Sequence, residues 1–318
     1  MDLVTVIITT CKRNETLIRA VNSVLEQTYE SIEVLIIDDS RDEVARKVIC
    51  DNYGDNSRVI YLSYPGNKGL SYARNYGMEH SKGPFIAFLD DDDEWCVDKI
   101  SKQIEYISDY DLVYCGAKIV KNDNSKDSYI MPLNQGKLRE SIQNKGIATI
   151  SSSILIKKKL YDEGIKFDEE LVSSVDHDYW MQLAKSNKKI HGLNSAHVKI
   201  YDPAVRNTMM SSIENRQKGI MQFKNKWHDT YTEWYGKNAA DKFFDKYLSK
   251  VMSKLSISMI IRLEFKKAFL VFKEMYHEVK DFKEVILFFP KELIKAIAKH
   301  YLPSSLKNII NLMRSRTN

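Results

Sequence analysis

Short apolar runs and helical periodicity alternate in the first third of this chain. The segment LVTVIIT (residues 3–9) is rich in β-branched residues and predicts a strand that is buried on both faces. The next segment, residues 14–28, repeats apolar residues at helical spacing and has Asn14 as its predicted N-cap. The apolar positions of this predicted helix are Leu17, Val21, Val24 and Leu25.

Three more apolar runs predict strands. They are IEVLIIDDS (32–40), RVIYLSY (58–64) and PFIAFLDDDD (84–93). A helical stretch from about 41 to 53 separates the first two of these runs. Alternating strands and helices predict an α/β fold with a doubly wound, mostly parallel sheet flanked by helices. Ligands of such sheets bind in the crevice outside the carboxyl ends of the strands.

The last third of the chain, residues 216–318, has a helical pattern. EFKKAFLVFKEMYHEV places aromatic residues on one helix face, and PKELIKAIAKHYL (290–302) carries lysines at i, i+4 spacing. The aromatic residues are Phe265, Phe269, Phe272 and Tyr276. Basic amphipathic helices of this kind are typical of proteins that lie on an anionic membrane surface. The alternative is a helical bundle or the interface of a homo-oligomer.

Charge and cysteine content narrow the class of protein. The 318 residues carry a net charge of +5, which is too mild to predict a nucleic-acid-binding protein. The positive charge is concentrated from Lys250 onward, where 14 Lys and Arg residues outnumber six Asp and Glu residues. The scattered cysteines show no zinc-ligand spacing and predict a reducing compartment. We expect a cytoplasmic protein, held at the inner face of the cell membrane if the basic tail binds there.

Acidic residues follow two of the predicted strands. Asp38 and Asp39 follow the second strand, and four consecutive aspartates (90–93) follow the strand FIAFL. Carboxylates that converge at one sheet edge suit a hard divalent cation such as Mg²⁺ or Mn²⁺, although a solvated acidic loop is the alternative. Asp39 is suited to accept hydrogen bonds from a nucleotide base or ribose, but an N-cap or Asx-turn would also explain it.

A second acidic cluster lies further along the chain, in KFDEELVSSVDHDYWMQLAKS (166–186). Asp176 and Asp178 flank His177 at the start of a predicted helix that continues through Trp180. Acidic residues at a helix start are favoured by the helix dipole, so a purely structural role is the simplest interpretation of this cluster alone.

Taken in order and spacing, these motifs resemble those of family-2 glycosyltransferases with the GT-A fold. The matching segments are VTVIITTCKRNETLIRAVNSVLEQTYESIEVLIIDDS, GNKGLSYARNYG (66–77), FIAFLDDDDEW and VDHDYW, within about residues 3–215. The resemblance implies a catalytic domain over 1–215, with a nucleotide-binding half (1–95) and an acceptor half (96–215). It also implies inverting sugar transfer from a nucleotide-diphosphate sugar, such as a UDP-sugar, to a glycan or lipid-linked acceptor in bacterial surface polysaccharide synthesis.

The resemblance also implies a role for each matching residue. Asp176 corresponds to the general base, and Asp90 and Asp92 of the D-x-D motif correspond to ligands of a divalent metal. Donor nucleotide contacts are implied for Thr9, Thr10, Arg13, Asp38, Asp39, Arg74, Asp90 and Asp91. Contacts to the acceptor or the diphosphate are assigned to Asp178, Trp180 and Arg206. Val175 and Gln182 stand where relatives often carry Glu and Arg, and serines of GIATISSSILI (146–156) are expected beneath the acceptor.

These roles match the chemistry of an inverting transfer. One carboxylate must take the proton of the acceptor hydroxyl, and a divalent ion stabilises the charge that develops on the leaving diphosphate. Two arginines have simpler alternatives, since Arg74 could pair with a nearby acid and Arg206 could be an ordinary surface residue. The rival functions are a nucleotidyltransferase on a related sheet and a non-catalytic nucleotide- or glycan-binding module.

Overall fold

The computed structural model describes two compact units, Met1–Arg206 and Asn207–Asn318. The residues it describes are 1–40, 44–121, 127–147, 150–201 and 213–280, with scattered positions up to residue 294. The division between the units falls shortly before residue 215, where the sequence places the end of the catalytic domain.

Strands and helices alternate in the first half of the first unit, as the apolar pattern predicts. The elements are β1 (Val4–Thr10), α1 (Asn14–Leu25), β2 (Ile32–Asp38), α2 (Val44–Tyr53), β3 (Val59–Ser63), α3 (Leu70–His80) and β4 (Phe85–Asp90). Every residue of β1 and β2 is buried, which explains why both strands are continuous apolar runs rather than alternating ones.

The second half of this unit adds six strands and four helices among the residues described. The elements are β5 (Asp93–Trp95), α4 (Lys99–Ile107), β6 (Leu112–Val120), β7 (Ser128–Ile130), β8 (Gly136–Lys137), α5 (Leu138–Lys145), β9 (Ile154–Lys157), α6 (Lys159–Asp162), α7 (Val175–Lys185) and β10 (Lys189–Tyr201). A single turn of 3₁₀ helix, Ser151–Ser153, immediately precedes β9.

The described strands form one mixed sheet in the order β3-β2-β1-β4-β9-β6-β10-β5, with β7 beside β6 and β8 beside β10. The first four strands are parallel, whereas β9 runs antiparallel to both β4 and β6. In register, Thr10 is opposite Asp38 and Thr9 is opposite Asp90. The carboxyl ends of β1, β2 and β4 therefore meet at one edge of the sheet, and the predicted fold class is confirmed.

The N-cap of helix α1 lies one residue earlier in the chain than the sequence predicted. Arg13 is the N-cap, its carbonyl accepts the first helical hydrogen bond from the Leu17 amide (3.3 Å), and Asn14 is the first helical residue. The prediction that Asn14 caps the helix was therefore wrong. The Asn14 Oδ1 atom is buried without a hydrogen-bond partner among the described residues, so this side chain does not cap the helix. The predicted apolar face is correct, since Leu17, Val21 and Val24 are fully buried.

Lys99, the first residue of helix α4, is fully buried. The Lys99 ammonium donates a hydrogen bond to Gln103 Oε1 (2.7 Å) and lies 3.8 Å from the centre of the Trp95 ring. Burial disfavours the charged form and lowers the pKa of Lys99 to about 7. The core therefore holds an amine that loses its proton far more readily than a lysine in the unfolded chain.

This depressed pKa predicts a pH-dependent stability. Below pH 7 both states bind the proton. Between pH 7 and about 10 only the unfolded state keeps it, so stability rises with pH. Relative to Lys99→Met, the free energy of unfolding of the parent should rise by up to ~1.4 kcal/mol per pH unit across this window. Urea denaturation of both proteins at pH 7.5 and 9.5 measures the difference. A constant difference would mean that Lys99 stays charged in the fold.

The second unit is helical among its described residues, as predicted for the C-terminal region. It contains α8 (Ile213–Tyr235), α9 (Lys237–Ile261) and α10 (Phe265–Glu278). Ala268, Val271 and Met275 of α10 are buried in a cluster with residues of α9 such as Leu248 and Met252. These apolar contacts explain why α10 packs on α9.

The aromatic face predicted for α10 is only partly exposed. Phe265, Phe269 and Tyr276 are exposed, whereas Phe272 is half-buried with its ring 5.6 Å from that of Phe289. No helix among the described residues is long and apolar enough to cross a bilayer. Attachment to an anionic membrane and assembly into a homo-oligomer stay predictions for this face, and most of the predicted helix 290–302 lies outside the described residues.

Candidate functional site

The two aspartates that end the second strand have different partners. Asp38 is fully buried and accepts hydrogen bonds from the Ser40 amide (2.8 Å) and the Tyr61 hydroxyl (2.7 Å). Its side chain therefore closes a local turn of the Asx type, the alternative that the sequence offered for Asp39. The structure puts this contact at Asp38 instead, and a nucleotide contact from Asp38 stays a prediction that its burial does not favour.

Asp39 anchors the loop that leads into α3. Its Oδ1 accepts hydrogen bonds from the Tyr64 hydroxyl (2.9 Å) and the Lys68 amide (2.7 Å), and its Oδ2 accepts one from the Gly69 amide (2.9 Å). Desolvation and the Asp39 carboxylate raise the pKa of Tyr64 well above its ordinary value, so the phenol stays a donor. The loop Asn67–Gly69 is thereby fixed beside the carboxyl end of β1.

Arg13 is paired with the aspartate run. Its guanidinium lies 2.7 Å from Asp91 Oδ1 and donates a hydrogen bond to Asp92 Oδ2 (2.9 Å). Thr10 Oγ1 donates to the other oxygen of Asp91 (2.7 Å). Burial raises the pKa of Asp91 to about 7, against the opposing effect of Arg13. The donor-site residues Thr10, Arg13 and Asp91 are thus brought together, but as partners of one another.

Three carboxylates form the group best suited to a cation. Ligand oxygens of Asp90, Asp92 and Asp93 all lie within 4.8 Å of one another, and Asp92 and Asp93 are buried. Arg19 fixes the backbone here by donating to the Asp92 carbonyl (2.8 Å). A set of only carboxylate oxygens fits Mg²⁺ or Mn²⁺. Asp93 was not predicted as a ligand, although its place in the run was a usable signal.

Arg74 joins this acidic group to the second acidic cluster. Its guanidinium donates to Asp90 Oδ1 (3.0 Å) and to Asp176 Oδ1 (2.7 Å), and it lies 4.9 Å from the centre of the Phe167 ring. The side chain is almost fully buried, which alone would lower the pKa of Arg74, but the two carboxylates raise it. The alternative that Arg74 pairs with a nearby acid is therefore what the structure has, and both acids are predicted site residues.

Asp176 lies in the first turn of α7, two residues after the N-cap Ser174. Besides Arg74, the Ser151 hydroxyl donates a short hydrogen bond to Asp176 Oδ1 (2.5 Å). Burial by itself would raise the pKa of Asp176, but Arg74 and Ser151 together lower it. The Asp176 side chain is thus an ionised carboxylate at neutral pH. Ser151 was expected among the serines beneath the acceptor, and nothing in the sequence identified Asp176 as its partner.

The remaining residues that were predicted to contact a substrate are either buried or outside the described residues. Asp178 and Trp180 are fully buried in α7, where Gln182 Nε2 donates to Asp178 (2.8 Å) and Trp180 packs edge-on against Tyr114. In this conformation neither side chain reaches the surface where an acceptor would meet it. Thr9 is also buried, next to Asp90 in the adjoining strand. Arg206 lies outside the described residues.

Three turns around the site have unusual backbone conformations. Lys12 (φ 60°), Asn67 (φ 49°) and Ser174 (φ 63°) lie in the left-handed region although none is glycine. Lys12 and Ser174 precede Arg13 and Asp176, and Asn67 is the first residue of the loop bound by Asp39. Two other non-glycine residues, Asn187 and Leu263, share this conformation just after the C-caps of α7 and α9, so the conformation is not confined to the predicted site.

A family model matches about half of the chain. Residues 5–165 match the model described as Glycosyl transferase family 2. Among curated proteins, the chain is 30% identical over 190 residues to the Escherichia coli UDP-Glc:alpha-D-GlcNAc-diphosphoundecaprenol beta-1,3-glucosyltransferase WfgD, covering 58% of this chain and 71% of WfgD. It is 29% identical over 174 residues to an uncharacterized glycosyltransferase of Rickettsia conorii, covering 52% of this chain and 28% of that protein.

Solved structures show the same fold. Staphylococcus aureus TarS superposes with a TM-score of 0.63 at 18% identity, covering 92% of this chain and 54% of TarS. TarS residues 1–349 in complex with UDP superpose with a TM-score of 0.59 at 17% identity, covering 95% of this chain and 93% of that TarS chain.

The match to several Rickettsia relatives spans under a third of their length. The family match and the WfgD alignment agree with the geometry, and the chain belongs to glycosyl transferase family 2.

Proposed function

We propose that this protein is a metal-dependent, inverting glycosyltransferase that moves a sugar from a UDP-sugar to a hydroxyl of a glycan or lipid-linked acceptor. The observation that carries the proposal is the bridge through Arg74, which holds a D-x-D carboxylate and the Asp176 carboxylate on one guanidinium. Two acids held together, at the carboxyl edge of the sheet, suit a reaction with a leaving group on one side and a proton acceptor on the other.

Asp176 is the proton acceptor in this proposal. The acceptor hydroxyl oxygen forms a bond to C1 of the donor sugar as the bond from C1 to the diphosphate oxygen breaks. The electron pair of the broken bond leaves with UDP, and the hydroxyl proton passes to Asp176. Asp176 is ionised at neutral pH, since Arg74 and Ser151 hold its pKa below the ordinary value, and an ionised carboxylate can accept the proton.

Asp90, Asp92 and Asp93 are the residues that would hold a divalent metal. When bound, Mg²⁺ or Mn²⁺ would neutralise charge that develops on the leaving diphosphate. In the structure, Arg13 pairs with Asp92. We therefore propose that Arg13 gives up this pair when Asp92 binds a cation, and turns to the nucleotide together with Thr9 and Asp39.

The relatives favour particular substrates. The names of WfgD and of the E. coli protein WfaP, 40% identical over 107 residues, specify UDP-Glc as donor and a sugar linked to diphosphoundecaprenol as acceptor. TarS residues 1–349 have been solved with UDP and with UDP-GlcNAc. These names support a UDP-sugar donor and a lipid-linked or polymeric acceptor for this chain. The proposal extends them to bacterial surface polysaccharide synthesis.

Metal-dependent release of UDP tests the proposal. We expect the protein to release UDP slowly from UDP-Glc or UDP-GlcNAc when Mn²⁺ or Mg²⁺ is present, and EDTA to stop the release. Asp92→Asn removes a charged ligand and should weaken Mn²⁺-dependent UDP binding by about tenfold or more, since ligand and outer-sphere changes at metal sites have effects of this size. Calorimetry with UDP and Mn²⁺ measures the affinity.

The matched control is Asp51→Asn, which changes an exposed aspartate on α2 and should behave like the parent. Unchanged Mn²⁺-dependent UDP binding by Asp92→Asn would assign the aspartate run to a metal-free acidic loop. Formation of pyrophosphate from UTP and a sugar phosphate would favour the nucleotidyltransferase instead. Tight UDP binding without any turnover would favour a binding module.

A further inference from the structure

Three consecutive serines are buried beneath the site. Ser151, Ser152 and Ser153 form the 3₁₀ turn before β9, and each is at most 4% exposed. Serine is mostly an exposed residue, and a buried hydroxyl costs free energy unless it has a hydrogen-bond partner. The partners of these hydroxyls therefore indicate why the turn contains them.

Ser151 and Arg74 bind the same oxygen of Asp176. Both hydrogen bonds end on Oδ1, at 2.5 Å from Ser151 Oγ and 2.7 Å from Arg74 Nη1. Among the residues that the structure describes, none donates a hydrogen bond to the second oxygen, Oδ2. Two donors on one oxygen prevent the carboxylate from rotating about its last side-chain bond. Oδ2 is thus left in a fixed position to receive a proton.

Ser152 contacts the opposite part of the site. Its hydroxyl donates to Asp93 Oδ2 (2.6 Å) and accepts a hydrogen bond from the Asp90 amide (3.1 Å). The Ser152 carbonyl accepts a hydrogen bond from Trp95 Nε1 (2.7 Å), which fixes the turn against β5. One hydroxyl thus orients a carboxylate of the metal-binding group and holds the backbone of another.

Ser153 differs from its two neighbours. Its hydroxyl donates to the Ile150 carbonyl (2.6 Å), within the turn, and its own carbonyl accepts from Gln103 Nε2 (2.8 Å). No acidic side chain is among the partners of its hydroxyl in the described part of the chain. Ser153 therefore serves the turn itself, whereas Ser151 and Ser152 reach the site.

We infer that Ser151 and Ser152 are positioning residues for the reaction, with separate duties. Ser151 orients Asp176 so that Oδ2 takes the proton of the acceptor, and Ser152 orients Asp90 and Asp93 for the cation. Because the two serines are adjacent in one 3₁₀ turn, the proton acceptor and the metal-binding group are connected through the same short backbone segment. The inference rests on the proposed function, in which Asp176 is the base and the D-x-D acids bind metal.

Single variants separate the two duties. Ser151→Ala should lower kcat for UDP release from the UDP-sugar that the parent hydrolyses best by about 10- to 100-fold, since small misplacements of reacting groups have effects of this size. The KM for the UDP-sugar and the affinity for Mn²⁺ should stay near the parental values. Ser151→Thr keeps the hydroxyl and should recover most of the lost kcat.

Ser152→Ala should show the opposite pattern. We expect its affinity for Mn²⁺, measured by calorimetry in the presence of UDP, to fall by about tenfold, the size expected for a residue that orients metal ligands. At saturating Mn²⁺ its kcat should recover toward the parental value. Ser153→Ala is the matched control from the same turn, and both its kcat and its Mn²⁺ affinity should equal those of the parent.

Thermal midpoints are recorded for every variant. Parental kcat in Ser151→Ala would overturn the inference. It would also be overturned if Ser151→Ala and Ser152→Ala lost kcat, Mn²⁺ affinity and thermal stability together, because that pattern means that the turn only supports packing. Asp176→Asn is assayed in parallel. If Asp176→Asn keeps its turnover, the proposed function fails. If Asp176→Asn is inactive and Ser151→Ala is not impaired, only the positioning role fails.

Discussion

Asp176→Asn should bind donor and metal almost as well as the parent and yet turn over about 10² to 10⁴ times more slowly, the range for loss of general-base catalysis. Asparagine keeps the shape of the side chain and can still accept hydrogen bonds from Ser151 and Arg74. Its amide, however, cannot take the proton of the acceptor hydroxyl. Steady-state release of UDP and a calorimetric titration with UDP and Mn²⁺, on one preparation, separate turnover from binding.

The control for this prediction is Glu170→Gln, which neutralises an exposed acid in the segment before α7. It should leave both turnover and binding unchanged. Near-parental turnover in Asp176→Asn would give the role of proton acceptor to another group. Loss of Mn²⁺-dependent UDP binding in the same variant would instead make Asp176 part of the donor pocket.

Arg74→Met should lower the free energy of unfolding by about 3 kcal/mol, the low end of the range for breaking a buried ion pair. The Arg74 side chain is 2% exposed, whereas those of Asp90 and Asp176 keep 36% and 37% of their surface in solvent. Water therefore compensates part of the loss when the shared cation is removed. Urea denaturation at pH 7 measures the change, with Arg74→Lys as the variant that keeps the charge.

A double variant identifies the origin of this effect. If the loss comes from unpaired carboxylates, Arg74→Met combined with Asp176→Asn should be less destabilised than the sum of the single variants, because one of the unpaired charges is gone. Arg74→Lys should lie between parent and Arg74→Met, since one ammonium does not span both acids as a guanidinium does. Strictly additive losses would mean that Arg74 stabilises the fold mainly through packing on Phe167.

The sequence predicted which acids lie at the carboxyl ends of the strands, because the apolar runs and the acids that follow them are local patterns. A β-branched run such as residues 3–9 specifies a strand covered on both faces, and acids after such runs must lie at its carboxyl end. The direction of β9 was not predictable, since an apolar run is the same pattern in a parallel or an antiparallel strand. Strand direction depends on the connections before and after the strand.

The sequence did not show which residues the charged side chains of the site contact. Arg74 and Asp176 are 102 positions apart, and Ser152 and Asp93 are 59 apart, so no local pattern connects them. Resemblance to a family identified Asp176 and the D-x-D acids by their motifs. It implied donor contacts for Arg13 and Arg74, which stay predictions, and it did not show that the folded chain pairs both with acids. Burial of Asp91 and Arg74 favours these pairings, because an isolated charge in the interior is too costly.

The left-handed turns at Lys12, Asn67 and Ser174 bear on how tightly a donor can bind. Such a conformation costs on the order of 1 kcal/mol for a residue with a side chain, and the sheet and the helices that follow hold it in place. Part of the folding free energy is thus used to order these loops before any substrate arrives. If the chain binds a nucleotide sugar as proposed, binding loses less conformational entropy than it would with mobile loops, so more of each new contact is expressed as affinity.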